Sequence, residues 1–406
     1  MTAASSTSPP AASHSSGLDP ERLQHITRAV QADIDAGRIP GAVMLVSHHD
    51  RLVYETALGR QDPADKDSKP MSIDTIFRIY SMTKPIVSVA IMMLVEEGRL
   101  LISQPVSAYM PELGQPGVGV QGVDREGWPV LETVAAHREM TVHDLLRHTS
   151  GLTYGIFGES MVKSAYTEAG VERRDVTNDE LVHRLAKVPL AYQPGTVWEY
   201  SRSTDVLGAL VERISGMALD EYLQQRILGP LGMKDSGFWV PAEQQHRIAE
   251  AFATDPDSGV EVKLLNVRSK PGFLSGGGGM VSTAHDYLRF ARMLANHGTL
   301  DGVRILSRKT VQYMTSDHLG DLPGARMTPD FLPGPGYGFG LGFAVRIAAG
   351  DAIVPGSLGD YNWSGLAGTY FWVDPAENLV AIWLMQAPEQ RAHYRQLFRN
   401  LVYAAL

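Results

Sequence analysis

The chain has 406 residues, of which 44% are hydrophobic and 20% charged, so it is long and apolar enough to bury at least one large core. Its formal net charge of −9 repels phosphate backbones and anionic lipid surfaces, which argues against nucleic acid or a membrane as a partner. There are no cysteines, which excludes disulfides, thiolate metal sites and a cysteine nucleophile.

The N-terminal segment is rich in Ser, Ala and Pro. Residues 1–17 are predicted to form a mobile, disordered tail, because such a composition buries too little surface to offset the cost of ordering. They contain no basic opening and no apolar run, and no stretch of about 18 apolar residues occurs elsewhere, so we expect no signal peptide, no membrane anchor and a cytoplasmic location. Asp19 and Pro20 then predict the start of a helix. The segments 42–47 and 52–58 predict a β-hairpin.

The next predicted helix is apolar on almost every side. It runs from Ser81 to Gly98, and a helix without a polar face belongs in the middle of a fold. From about 100 to 290, helical pieces are joined by long Pro/Gly loops. Near the C-terminus, TYFWV (369–373) and LVAIWLMQ (379–386) predict a second hairpin, and an amphipathic helix follows.

Sheet-forming segments therefore lie at the two ends of the chain, and helices lie between them. The simplest fold class is α+β, an α/β sandwich in which the N- and C-terminal segments form an antiparallel β-sheet flanked by helices. We expect residues 18–99 and 290–406 to form this α/β domain and residues 100–289 to form an inserted, mostly helical domain. A ligand site is expected at their interface. The sequence leaves the oligomeric state open.

A serine and a lysine lie one helical turn apart at the start of the apolar helix. In Ser81-Met82-Thr83-Lys84, positions i and i+3 share one face, so the amine can reach the hydroxyl. A serine is a weak nucleophile until a base takes its proton. Burial and the positive end of a helix both disfavour the ammonium form of Lys84, so this position predicts an activated pair. The backbone N–H of Ser81 is also a candidate oxyanion donor.

A second S-x-x-K occurs at Ser160-Met161-Val162-Lys163. It shows that this short motif arises by chance. Ser160 lies in a polar, loop-like stretch with no buried helix behind it, so we do not expect it to be the nucleophile.

FRIYSMTKP, with S-x-x-K opening the most hydrophobic helix, resembles the penicillin-recognising enzymes: serine β-lactamases, DD-peptidases and, most closely, family VIII carboxylesterases. The resemblance implies a β-lactamase/transpeptidase-like fold and a tyrosine motif in the middle of the chain. PGTVWEYSRSTDVLG supplies that motif, and the resemblance makes Tyr200 the partner of Lys84 in proton transfer to and from Ser81. Which of the two groups holds the proton in the free enzyme stays open at this point.

The resemblance also implies a third motif near the C-terminal strands. Trp363-Ser364-Gly365 occupies the place where β-lactamases carry Lys-Thr-Gly, which makes these residues candidates for substrate binding. The backbone N–H of Leu366 is then the second oxyanion donor. No metal or cofactor is implied.

Two departures from the β-lactamase pattern concern the substrate. Trp363 offers an aromatic face where a lysine would pair with a carboxylate, and Arg202 replaces the amide of a Tyr-x-Asn motif. Both changes favour neutral acyl esters, so we expect a carboxylesterase acting on small, short-chain esters through an acyl-enzyme, with at most weak β-lactam hydrolysis. An acyltransferase, or a β-lactamase or DD-peptidase with the same catalytic residues, remains an alternative. A non-catalytic binding protein is the alternative from another class.

Two further segments are interpreted as structural. His148, in LLRHTSGLTYG, is expected to support the fold rather than to react. The glycines at 276–279 lack a following GK[ST], so they predict close backbone packing near the cleft rather than a phosphate site.

Overall fold

The computed structural model describes residues 17–65, 67–320, 322 and 331–406. The predicted mobile tail at 1–17 lies outside the described residues except for Gly17. In the described part of the chain, no helix is long and apolar enough to cross a membrane.

The strands of the main sheet come from the two ends of the chain, and most of the helices lie between them in sequence. The strands are β1 (Gly41–His48), β2 (Arg51–Gly59), β3 (Phe77–Arg78), β4 (Gly117–Val123), β5 (Pro129–Ala135), β6 (Val281–Ser282), β7 (Thr299–Leu300), β8 (Val303–Arg304), β9 (Tyr337–Phe339), β10 (Ala344–Arg346), β11 (Tyr361–Ser364), β12 (Tyr370–Asp374) and β13 (Leu379–Met385). The helices are α1 (Pro20–Asp35), α2 (Thr83–Glu96), α3 (Val142–Leu146), α4 (Met161–Glu168), α5 (Asn178–Leu185), α6 (Ser203–Ser215), α7 (Leu219–Leu223), α8 (Ala284–Ala295), α9 (Arg308–Met314) and α10 (Arg391–Tyr403).

Seven strands form one antiparallel sheet in the order β2-β1-β13-β12-β11-β10-β9. The N-terminal hairpin therefore joins the C-terminal strands, with Val43 opposite Leu384 in the register of β1 and β13. Both predicted hairpins are present, and the predicted α+β class with a sheet built from the two chain ends is confirmed. The hairpin of β4 and β5, within the stretch where the sequence predicted helical pieces, was not anticipated.

Strand β13 is apolar throughout because both faces of the sheet are covered. Its side chains alternate between two buried clusters, with Ile382 and Leu384 in the larger cluster and Trp383 and Met385 in the other. Helices α1 and α10 pack over the face that carries Trp383, and α8 packs against the opposite face. The second face belongs to the same core as α2 and the helices of the middle segment.

Helix α1 begins as the sequence predicts. The Asp19 carboxylate caps it by accepting from the backbone N–H of Glu21, and Pro20 occupies the first turn. At the other end of the apolar helix α2, Gly98 adopts a left-handed conformation with φ 70°, which terminates the helix.

A buried ion pair ties strand β10 to helix α10. The Asp360 carboxylate accepts from Arg346 Nε at 2.7 Å and from Arg399, and all three side chains are almost completely buried. Tyr337 donates to the other carboxylate oxygen at 3.3 Å. This network fixes the end of the sheet next to the third sequence motif.

We expect Asp360→Asn to lower the free energy of unfolding by about 3 kcal/mol, because it leaves two buried guanidinium groups without their counter-charge. Urea denaturation followed by tryptophan fluorescence measures this change. The exposed carboxylate of Glu261, which pairs with Lys263, provides the control: Glu261→Gln should cost less than about 1 kcal/mol. Equal costs for the two variants would contradict a structural role for the buried pair.

Candidate active site

Ser81 lies in a tight turn at the foot of α2. Residues Tyr80–Met82 form one 3-10 turn, and the α-helix begins at Thr83, two residues after the serine. Tyr80 is in the left-handed region with φ 44°, a conformation that costs a bulky residue on the order of 1–3 kcal/mol. Its phenol accepts from the Leu265 N–H at 2.8 Å, and Tyr287 donates to the Met82 carbonyl, so the surrounding structure holds the turn in place.

Lys84 lies in the first turn of α2 and is only 1% exposed. Its Nζ contacts three hydrogen-bond acceptors: Ser81 Oγ at 3.3 Å, Tyr154 Oη at 3.2 Å and the Gly277 carbonyl at 2.6 Å. An ammonium has three protons to donate, so this geometry satisfies the charged form completely.

The balance of effects on Lys84 differs from the expectation of a poorly charged amine. Burial lowers the pKa of Lys84, but the neighbouring oxygens of Tyr154 and Tyr200 and the carboxylate of Asp205 raise it by more. The net pKa lies above the usual value for lysine. These contacts and charges favour the ammonium form of Lys84, whereas the sequence-based argument from burial and helix dipole, which did not include the facing oxygens, disfavoured it.

Tyr200 stands beside Lys84, at the end of the loop that precedes α6. The amine lies 4.4 Å from the centre of the Tyr200 ring, and Tyr200 contributes to the raised pKa of Lys84. The indole of Trp198 stacks on this ring with 6.0 Å between ring centres. The structure thus brings Ser81, Lys84 and Tyr200 together, as the sequence predicts.

Tyr154 is a second tyrosine at this site, and sequence reasoning missed it. It follows the segment LLRHTSGL, which contains His148, but only the hydrogen bond from Lys84 reveals that its phenol points to the site. Burial raises the pKa of Tyr154 to about 12, although the charge of Lys84 opposes this shift. Tyr154 is therefore a protonated phenol in the free protein.

His148 packs behind the tyrosines. Its ring centre lies 5.1 Å from that of Tyr200, and its Nδ1 lies 3.2 Å from Ser201 Oγ. Burial and the charge of Lys84 lower the pKa of His148 well below the usual value, so the imidazole is neutral. These contacts support the structural role that we expected.

Arg202 is buried, and both of its terminal guanidinium nitrogens donate to carboxylates. It pairs with Glu172 and with Asp205, at 3.1 Å from the latter, and its guanidinium lies 4.9 Å from the centre of the Tyr154 ring. Glu172 also accepts from the Gly155 N–H at 2.8 Å. The charge of Arg202 therefore fixes Tyr154 and the adjacent loop and is not presented to a ligand.

The third motif borders the same site from the sheet. Trp363 and Ser364 are the last residues of β11, within a strand rather than before one, and the ring centre of Trp363 lies 5.6 Å from that of Tyr200. Gly365 abuts the Ile79 carbonyl so closely that a β-carbon would overlap it. Arg395 of α10 donates to the Gly365 carbonyl at 2.9 Å, a contact that the sequence did not indicate. Leu366 follows this turn and is 41% exposed.

The second S-x-x-K has an ordinary structural role. Ser160 caps α4 by accepting from the Lys163 N–H at 3.1 Å, and the Lys163 amine points to Glu199 at 3.5 Å. Serine and lysine are therefore engaged separately, unlike Ser81 and Lys84.

One group of potential metal ligands occurs in the part of the chain that the structure describes. Glu112, Asp179 and His183 offer ligand atoms within 4.8 Å of one another. Arg213 pairs with both carboxylates, at 2.8 Å and 2.7 Å, which makes this an exposed ion-pair network. None of these residues contacts Ser81 or Lys84.

The arrangement around Ser81 is suited to acyl transfer through a covalent intermediate. It combines a hydroxyl at a helix foot, an ammonium in contact with that hydroxyl, and two phenols that can exchange protons. Aromatic rings of Tyr154, Phe157, Tyr200 and Trp363 lie next to one another here, and we call them the aromatic wall.

Comparison with known proteins agrees with this geometry. The chain is 38% identical to Protein Rv1367c of Mycobacterium tuberculosis over 87% of each chain. It is 33% identical to Esterase EstB of Burkholderia gladioli, over 90% of this chain and 93% of that one. The solved structure of EstCE1, described as a hydrolase with promiscuous acyltransferase activity, has a TM-score of 0.76 at 26% identity and covers 95% of this chain and 99% of its own.

The match to the family model named Beta-lactamase extends over residues 26–404, nearly the whole chain. Together with the esterase relative, it supports a serine hydrolase. This chain belongs to the Beta-lactamase family, within the serine β-lactamase-like superfamily that includes the family VIII esterases.

Proposed function

We propose that this protein is a carboxylesterase that hydrolyses short-chain, neutral esters through an acyl-enzyme on Ser81. The observation that carries the proposal is the 3.3 Å contact between Lys84 Nζ and Ser81 Oγ, inside a buried group that also contains two tyrosines. The 33% identity to an esterase over most of both chains supports ester hydrolysis as the activity.

In the first half of the reaction, Ser81 Oγ attacks the ester carbonyl carbon. Lys84 is already an ammonium, so it cannot take the serine proton. We assign that role to Tyr200 as a phenolate, which the adjacent ammonium stabilises by charge. When the carbon–oxygen bond to the alcohol breaks, Tyr200 returns the proton to the leaving alkoxide. The products of this half are the free alcohol and the acylated serine.

In the second half, water attacks the acyl carbon and gives its proton to the same tyrosine. The bond to Ser81 Oγ breaks, the serine regains its proton, and the carboxylic acid leaves. The backbone N–H groups of Ser81 and Leu366 are assigned to the oxyanion in both halves. The close approach of Gly365 to Ile79 supports this assignment, because it brings the end of β11 beside the turn of Ser81.

The surroundings of Ser81 support a neutral, apolar acyl group. Trp363 contributes an aromatic ring to the site where related β-lactamases carry a lysine. The one positive side chain of the tyrosine motif, Arg202, is neutralised by Glu172 and Asp205. A substrate carboxylate would thus lose its hydration without gaining a free counter-charge from these two positions.

We expect Ser81→Ala to reduce the kcat for p-nitrophenyl butyrate by about four orders of magnitude, because no nucleophile remains. Intact-mass measurement after exposure to a fluorophosphonate should show one adduct on the wild-type chain and none on this variant. Ser160→Ala is the matched control. It removes a helix cap worth roughly 1 kcal/mol and should keep both the activity and the adduct. An adduct that persists in Ser81→Ala, or a wild-type chain that is never labelled, contradicts the proposal.

The two tyrosines should be separable by mutation. Tyr200→Phe removes the proton carrier and should lower kcat by about 10²- to 10⁴-fold. Tyr154→Phe removes one hydrogen bond to Lys84 and should lower kcat by roughly tenfold, with little change in KM. Steady-state kinetics at pH 8 measures both effects, and Tyr313→Phe on the surface serves as the control. A larger loss for Tyr154→Phe than for Tyr200→Phe would reverse the two roles.

The substrate class can be tested by direct comparison. We expect kcat/KM for p-nitrophenyl butyrate to exceed that for a chromogenic cephalosporin by at least about a hundredfold, because the site lacks the lysine that binds a carboxylate. Faster cephalosporin hydrolysis would make the protein a β-lactamase. Product analysis with an added alcohol tests acyl transfer: a new ester formed faster than free acid would identify an acyltransferase.

A further inference from the structure

The four successive glycines at 276–279 are attached to α6 through one buried carboxylate. Asp205, in the first turn of α6, is 1% exposed. Its Oδ1 accepts from Ser275 Oγ at 2.6 Å and from the Gly277 N–H at 2.8 Å, and its Oδ2 accepts from Arg202 at 3.1 Å. Both oxygens are thus engaged, one by the glycine run and one by the guanidinium.

The same glycine residue contacts the catalytic lysine on its other side. The Gly277 carbonyl accepts from Lys84 Nζ at 2.6 Å, the shortest of the three contacts of that amine. A β-carbon on Gly277 would lie 2.8 Å and 2.9 Å from the two Asp205 oxygens, so only glycine allows this approach. One residue therefore bridges the Asp205 carboxylate and the Lys84 ammonium.

The charges around Lys84 come from two parts of the chain. Tyr154 and His148 face it from the loop after α3, and Tyr200 and Asp205 face it from the start of α6, with Arg202 on the far side of Tyr154. His148 is neutral, and Tyr154 is protonated. Asp205 is the one carboxylate among them.

Asp205 is ionised despite its burial. Burial raises the pKa of Asp205, but Arg202, Lys84 and the hydrogen bonds from Ser275 and Gly277 lower it by more, so the net pKa is below the usual value. Arg202 pairs with both Glu172 and Asp205, and Asp205 also faces Lys84 through the Gly277 peptide group.

We propose that Asp205 is a positioning residue for catalysis, which holds the Gly277 carbonyl against Lys84 and supplies the counter-charge that keeps Lys84 an ammonium throughout turnover. This inference rests on the proposed function. It also assigns a role to the glycine run that the sequence did not reveal: Gly277 links the Asp205 carboxylate to the Lys84 amine through its two backbone hydrogen bonds. Asp205 itself does not touch the substrate.

The negative charge of Asp205 affects how activity depends on pH. A carboxylate near an ammonium favours the protonated lysine, so its loss lowers the pKa of Lys84. The mechanism needs the ammonium to stabilise the Tyr200 phenolate. Activity should therefore be lost at high pH, where Lys84 deprotonates, and this loss should begin at a lower pH when Asp205 has no charge.

The test is the pH profile of kcat for p-nitrophenyl butyrate between pH 6 and pH 11, corrected for spontaneous hydrolysis. In Asp205→Asn, which keeps the shape and an acceptor for Gly277, we expect an alkaline loss of activity within this range, where the wild-type activity is still level because the pKa of Lys84 lies above the usual value. At pH 8, we expect kcat to fall at least about tenfold while KM changes by less than about threefold. Asp286→Asn removes another buried carboxylate, one that accepts from Ser236 and the Asp235 N–H, and should leave the profile unchanged.

A second variant keeps the test decisive if Asp205→Asn fails to fold. Gly277→Ala alters no charge, but its methyl group should push the glycine run away from Asp205. We expect kcat to fall at least about tenfold, with the alkaline limb again at lower pH. A pH profile of kcat like that of the wild type, in either folded variant, overturns the proposal. Faster turnover of Asp205→Asn at neutral pH also overturns it, because the neutral amine of Lys84 would then be the base that takes the serine proton. Fluorophosphonate labelling of the wild-type Ser81 tests the proposed function separately, so the two failures are distinguishable.

Discussion

A buried ammonium that donates to three acceptors holds this site together. Lys84 is removed from water, and an ammonium without partners in such a place would be strongly unfavourable. Its acceptors come from three separate segments: the turn at Ser81, the loop that ends at Tyr154, and the glycine run at Gly277. The amine therefore acts as a cross-link that fixes the relative positions of these segments, and each of them must be correctly placed before the hydroxyl of Ser81 has its environment.

The sheet and the helices make that placement possible. Strand β13 is covered on both faces, so the sheet forms a rigid layer in the middle of the fold rather than at its surface. Helix α2 packs into the larger of the two cores, with its N-terminal turn directed at the site. The left-handed backbone at Tyr80 shows that the turn is held by its surroundings, since local preference alone would not select it.

The site separates its charges from the surface that a substrate meets. Arg202 lies against the Tyr154 ring and pairs with Asp205, whereas the rings of the aromatic wall add no charge of their own to the site. This division suits a neutral acyl group in contact with rings and a developing negative charge near the lysine. Two differences from the β-lactamase pattern therefore act together. Trp363 replaces a positively charged lysine, and the charge of Arg202 is neutralised by the carboxylates of Glu172 and Asp205.

Periodicity and motifs were sufficient to predict the two hairpins, the capped start of α1, the buried helix α2 and the proximity of Ser81, Lys84 and Tyr200, because each depends on local spacing or on a resemblance that spans the chain. The charge of Lys84 could not be predicted in this way. It depends on oxygens of Tyr154, which is 70 positions away in the sequence, and of Asp205 and Gly277, which are farther still. Burial can be read from an apolar pattern, but the electrostatic balance of a buried group depends on which distant atoms face it, and only the folded chain brings those atoms together.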